Sequence, residues 1–135
     1  MDLELGEKAA IVTGGTQGIG KATALQLARE GAAVAIAARG REMLDGVAGE
    51  IRAAGGRVLA LRADVSEAED CETLVAEAVK AFGRLDILVN NAGTSARGEF
   101  EAVSDATWQA DLDLKLFAAV RLSRLAIPHM KQQRG

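Results

Sequence analysis

The sequence predicts an α/β fold, a doubly wound parallel sheet of about four strands with helices on both faces. Three observations lead there. Four short apolar runs recur along the chain, each is followed by apolar residues at helical spacing, and each gives way to glycine or polar residues just past its end. Parallel strands need crossovers long enough to hold a helix, and right-handed crossovers put those helices on the two faces of the sheet.

Residues 8–13 are nearly continuously apolar, as a strand buried on both faces would be. Residues 18–30 carry Ala22, Leu25, Leu27 and Ala28 among polar neighbours, a helix that Gly31 closes. The second run, residues 33–38, ends at Arg39-Gly40-Arg41. Residues 42–54 follow with Leu44, Val47, Ala48 and Ile51 at helical spacing and stop at Gly55-Gly56. Residues 57–62 form a third strand. Ser66, with Glu69 three residues on, predicts a capping box for a third helix whose apolar stripe is Leu74, Val75, Ala78, Val79 and Phe82, up to Gly83. The fourth strand, residues 85–89, ends at Asn90-Asn91-Ala92-Gly93. Beyond a polar loop over residues 94–103, Ser104 is the N-cap of a long last helix, residues 105–127. Trp108, Leu112, Leu116, Ala119 and Ser123 share one of its faces, and Pro128 and Gly135 close it.

With 135 residues, 49% of them hydrophobic, the chain suffices for one domain with its own core. A net charge of −3 and a pI near 5.2 give no attraction to nucleic acid or to an acidic membrane surface. The acidic N-terminus lacks the basic flank of a secretory signal, and no apolar run is long enough to span a bilayer. Cys71, the single cysteine, excludes an internal disulfide and fits a reducing, cytoplasmic setting. There is no tyrosine, and His129 is the single histidine, so chemistry built on a His cluster or a Tyr acid has nothing to run on here.

Open sheets of this kind bind ligands beyond the carboxyl ends of their strands, where strand order reverses. The turn Thr13-Gly14-Gly15-Thr16-Gln17-Gly18-Ile19-Gly20, Arg39, Asp64 and Asn90 to Gly93 each directly follow a predicted strand, so they line one edge. Glycines at a strand-to-helix junction let the backbone approach a ligand, and the helix start presents N–H groups to an anion. Gly15 to Lys21 matches the GxxxxGK spacing of a triphosphate loop, but Ala22 stands where a Ser or Thr hydroxyl should hold Mg²⁺. The spacing of Gly14, Gly18 and Gly20 is a variant of the dinucleotide pattern, whose glycines serve the turn, the approach to pyrophosphate and the packing of helix on sheet. An NAD site would place Asp or Glu at the end of the second strand; Ala38 and Arg39 are there instead. The fork of donors on Arg39 suits a 2′-phosphate, which favours NADP over NAD, the alternative being an ordinary solvated turn.

These residues resemble the short-chain dehydrogenases/reductases of the classical type. Thr13-Gly14 with Gly18-Ile19-Gly20 is similar to that family's cofactor motif, Asp64-Val65 to its adenine-side pair, and Asn90-Asn91-Ala92-Gly93 to its signature after the fourth strand. Trp108 and residues 112–130 resemble its long interface helix. The resemblance implies a Rossmann-like fold and an NADP(H)-dependent oxidoreductase acting on a small-molecule carbonyl or alcohol. It implies that Thr16, Gln17 and Ile19 line the pyrophosphate, that Asp64 and Val65 meet the adenine, and that Asn91, Ala92 and Gly93 support the ribose and the turn. A homo-oligomer through the last helix is implied as well.

Two departures accompany the likeness. The family's hydride transfer uses a serine, then a tyrosine and a lysine four residues after it, on and beyond a fifth strand. This sequence reaches Gly135 before any of them, and so reads as the cofactor-binding half of such an enzyme, truncated before the fifth strand. A dinucleotide-binding module without turnover and a structural fragment pairing through its last helix stay open as alternatives. The second departure is Lys115, which stands where the family usually has a relay asparagine. An ammonium has no acceptor to replace an amide, and pairing with Asp111 one turn earlier is the competing reading. Among minor candidates, Cys71 reads as a half-buried filler, His129 as a helix-end residue, and Ser95 as a possible substrate contact.

Overall fold

Among the described residues of the computed structural model, 1–93 and 98–133, four strands form one parallel sheet. They are β1, Ala9–Thr13; β2, Ala33–Ala38; β3, Val58–Arg62; and β4, Ile87–Val89, in the order β3-β2-β1-β4. The helices are α1, Gly18–Arg29; α2, Arg41–Ala53; α3, Ala68–Phe82; α4, Asp105–Leu112; and α5, Ala118–Gln132. The first two crossovers step outward from β1, and the third returns past it to β4. Strand order therefore reverses between β1 and β4, and the ligand edge of such a sheet lies there.

Alternation along the strands divides the core in two. Val12, Val34 and Ile36 face α1 and α2, where Ala24, Leu44, Val47, Ala48 and Ile51 are buried. Ile11, Ala35 and Ala37 face the other side, packed with Cys71, Leu74, Val75 and Ala78 of α3 and Ala118, Leu122 and Ala126 of α5. Every residue of β1 is buried, as its unbroken apolar run requires of a strand covered on both faces. The predicted stripe of α2 is the observed one. In α1, Ala22 is exposed and Ala24 takes the sheet-facing position.

Three local expectations are corrected. The capping box at Ser66 does not form: α3 begins after Glu67, with no side-chain cap. Ser66 instead gives both its N–H (3.0 Å) and its hydroxyl (2.6 Å) to Asp64 Oδ1, while Asp70 Oδ2 accepts the Asp64 N–H at 2.8 Å. Strand β4 begins at Ile87 rather than at residue 85, because Asp86 uses its side chain there. Its Oδ2 accepts the Ala9 N–H at 2.9 Å, and Arg84 binds the same carboxylate in a bidentate pair at 2.7 and 2.8 Å.

The last helix departs furthest. Ser104 does cap α4, accepting the Thr107 N–H at 3.2 Å. A 3-10 turn, Phe100–Ala102, precedes it, and a π turn, Asp113–Phe117, separates α4 from α5. The π turn adds a residue and shifts the helical phase, so the face drawn through Trp108, Leu112 and Leu116 is solvent-exposed. The sheet receives Ala118, Leu122 and Ala126 instead. Pro128 lies inside α5 and does not end it. A proline there removes one bond, to the Arg124 carbonyl, on an exposed side of the helix. Ser95 and Gly135 lie outside the described residues.

Candidate functional site

Thr13 ends β1 as a polar side chain only 1% exposed. Its Oγ1 accepts the N–H groups of Asn91 and Ala92, each at 3.0 Å, and donates to the Val89 carbonyl at 3.3 Å. Asn91 Nδ2 in turn donates to the Gly14 carbonyl at 3.2 Å. The glycine turn after β1 and the Asn90–Gly93 segment after β4 are thus bonded into one unit at the reversal point.

The glycines of that turn differ in what they permit. Gly18 has φ +56 with open space around it, so it is there for its left-handed backbone. Gly20 is there for space. A Cβ on it would overlap the Gly14 carbonyl oxygen and Asn91 Nδ2, which ties the start of α1 to both turns. Gly14 combines the two, with φ +63 and a Cβ that would press on Asn91 Nδ2 at 3.0 Å.

Helix α1 starts without a side-chain cap at Gln17 and without an acidic residue in its first turn. The first turns of α2, α3 and α4 all hold acids: Glu42, then Glu69 and Asp70, then Asp105. The positive end of α1's dipole is left for an external anion.

In front of it lies an open cleft of about 440 Å³. Gly14, Thr16, Gln17 and Ile19 line it from the glycine turn, and Asn91, Ala92 and Gly93 from the segment after β4. Arg39 beyond β2 and Asp64 and Val65 beyond β3 complete the predicted set. Gly18 and Gly20 do not reach the cleft and shape it from behind. Met43 and Leu114 also line it, and sequence reasoning missed both. Met43 could have been found as an apolar residue off the α2 stripe, in the first turn after a strand end; Leu114 is exposed to the cleft by the π turn and carried no such signal.

Electrostatics mark the far end of the cleft. Arg39 forms no ion pair among the described residues. The Ser66 hydroxyl hydrogen bond holds the Asp64 carboxyl below the usual carboxylate range against partial burial, and the charges of Arg39 and Arg62 add to this. Cys71 is fully buried rather than half-buried, its thiol pointing at the Val65 carbonyl at 3.2 Å, and burial pushes its pKa up, away from thiolate chemistry. Lys115 Nζ, in the π turn, pairs with Asp111 of α4 at 2.8 Å and does not line the cleft. His129 sits half-buried in the last turn of α5.

A family model described as short chain dehydrogenase matches residues 8–135. The chain belongs to that family. It is 39% identical over 130 residues, 95% of this chain and 37% of the relative, to 11-beta-hydroxysteroid dehydrogenase A of Sesamum indicum. It is 38% identical over 129 residues, again 95% of this chain but 52% of the relative, to a 3-oxoacyl-acyl-carrier-protein reductase of Staphylococcus aureus. Among solved structures, L-sorbose reductase from Gluconobacter frateurii, complexed with NADPH and L-sorbose, superposes with a TM-score of 0.95 at 37% identity, covering 98% of this chain and 51% of that one. A metagenomic short-chain oxidoreductase in complex with NADP superposes with a TM-score of 0.92 at 36% identity, covering 96% of this chain and 59% of that one. The chain thus spans between 37 and 52% of the length of these curated relatives.

Proposed function

We propose that this chain holds NADP(H) for an oxidoreductase that interconverts a hydroxyl and a carbonyl on a small molecule. One observation carries the reading: an uncapped, acid-free helix start and an arginine without an ion-pair partner among the described residues line the same cleft, two places for an anion that suit a dinucleotide bearing a 2′-phosphate. The residues fit the cofactor. Gly14, Gly18 and Gly20 let the backbone close around the pyrophosphate; Thr16, Gln17 and Ile19 line it. Arg39 meets the 2′-phosphate, Asp64 and Val65 meet the adenine, and Asn91, Ala92 and Gly93 support the ribose. NADP(H), when bound, supplies the hydride chemistry. Thr13 holds the two turns in register, so the pyrophosphate and ribose ends are positioned together. NADPH or NADP in the two structural relatives supports this choice over NAD.

These 135 residues contain no tyrosine, and the role proposed for them is that of one dinucleotide-binding domain. Exposed Leu112, Leu116, Val120 and Ile127 along α4, the π turn and α5 give the surface for a second copy, and a monomer by light scattering would argue against it. Among the described residues no helix is long and apolar enough to cross a membrane, and a cytoplasmic setting goes with the proposal.

Titration of the purified protein into NADPH, read by nicotinamide fluorescence, tests the reading. Saturable binding is expected, with Arg39→Ala weakening NADPH roughly tenfold and leaving NADH alone, as the loss of a charged hydrogen bond implies. No binding of either dinucleotide overturns it.

A further inference from the structure

Three arginines gather where β2 and β3 end, and one of them is committed to a carboxylate. Arg41 Nη1 lies 3.3 Å from Asp45 Oδ1. Arg39 and Arg62 make no ion pair among the described residues. The sheet ladder runs out at this point: the Ala63 N–H takes the Ala38 carbonyl at 2.9 Å, and the next peptide carbonyl, that of Arg39, lies past the last paired residue. What bonds it is a side chain. Arg62, in register with Ala38, donates from Nε to the Arg39 carbonyl at 3.1 Å.

We propose that Arg62 is a positioning residue for Arg39, and through it a determinant of the preference for a 2′-phosphate over a free 2′-hydroxyl on the adenine ribose. This deepens the NADP(H) reading and rests on it. An exposed arginine gives up rotamer freedom to hold one pose. With the Arg39 peptide anchored, the point from which its guanidinium reaches the cleft is fixed before the ligand arrives; with the anchor gone, that carbonyl is left without its partner between the bonded Ala38 and Gly40 carbonyls, and the guanidinium is held less closely to the cleft wall. The bond runs through Nε rather than through the terminal amino groups. Arg62 itself does not line the cleft, which agrees with an action through Arg39.

Dissociation constants for NADPH and NADH, measured by fluorescence on the purified protein, test this. The set is wild type, Arg62→Gln, Arg62→Lys, Arg39→Ala and the double variant, with 2′,5′-ADP and 5′-AMP as competitors. Arg62→Gln should weaken NADPH and 2′,5′-ADP roughly tenfold while NADH and 5′-AMP hold. Arg62→Lys, which keeps a charged donor, should retain most of the preference. The double variant should bind NADPH no more weakly than Arg39→Ala, since the two residues act as one unit. An unchanged NADPH-to-NADH ratio in Arg62→Gln, an equal loss of both cofactors, or an additive double variant overturns the inference and leaves the cofactor reading standing. Wild-type protein that binds neither dinucleotide overturns that reading itself.

Discussion

Substituting Gly20 by alanine should loosen the whole ligand edge, although the residue never touches the cleft. The added methyl would overlap the Gly14 carbonyl oxygen and Asn91 Nδ2 and lie 2.8 Å from the Gly14 carbonyl carbon. Two of those atoms are backbone, which cannot swing away as the end of a flexible side chain could. Overpacking of this kind costs about 1–3 kcal/mol. Displacing Asn91 also breaks its 3.2 Å bond to Gly14, worth roughly 0.5–1.5 kcal/mol. Alanine recovers up to about 1 kcal/mol over glycine within a helix, so the net loss is roughly 1–4 kcal/mol, or about 3–12 °C in Tm for a domain of this size. Gly18→Ala is the control. It meets nothing within 4 Å but keeps φ +56, so it should cost about 1–2 kcal/mol of backbone strain and leave Asn91 in place. Thermal melts followed by NADPH titration distinguish the two. A Gly20→Ala protein with wild-type Tm and wild-type NADPH affinity would refute the claim that α1 is packed against both turns through this position.

Thr13→Val should cost roughly 2 kcal/mol or more in urea unfolding, because the Asn91 and Ala92 N–H groups lose their acceptor; Thr13→Ser should restore most of it, and a valine variant as stable as wild type would remove Thr13 from its role. Acid should act through Asp86 and Asp64. Arg84's hydrogen bond holds the Asp86 carboxyl below its ordinary range, as the Ser66 hydroxyl does for Asp64. The unfolded chain, titrating near pKa 3.9, therefore takes up protons that the folded chain refuses. These contributions are full above about pH 5 and fade as pH falls through the lowered folded values. Asp86→Asn should lower Tm at neutral pH and flatten the acid limb of the Tm profile; an acid limb identical to wild type would count against the assignment.

The sheet was legible in the sequence because its two central strands, β1 and β2, are buried on both faces and its helices carry apolar stripes. Residues 33–38 are an apolar run of strand length closed by Arg39-Gly40-Arg41, and Leu44, Val47, Ala48 and Ile51 keep one face over about two turns. The cleft was legible because each of its segments directly follows a strand. What was not legible depends on single side chains competing for single backbone groups. Ser66 and Glu69 satisfy the capping pattern, yet Asp64 lies two residues from Ser66 and captures its hydroxyl first. Nothing in the spacing of residues 105–127 announces a π turn, so the stripe through Trp108 was carried along the wrong phase. Arg62 reads as the last residue of a strand until its Nε is found on the Arg39 carbonyl.

Strand β4 is three residues long and sits at the rim of the sheet, a place where short pairings slip. It is fastened at both ends by side chains rather than by length. Asp86 grips the Ala9 N–H where the pairing begins, and Thr13 grips Asn91 and Ala92 where it finishes. A shift by one residue would undo both fastenings at once and turn Leu88 out of the α3/α5 core, so no half-correct alignment is available to the chain. Since the partners are 76 to 79 residues apart in sequence, the correct alignment is also the one that commits β1, all three crossovers and the ligand edge to a single arrangement.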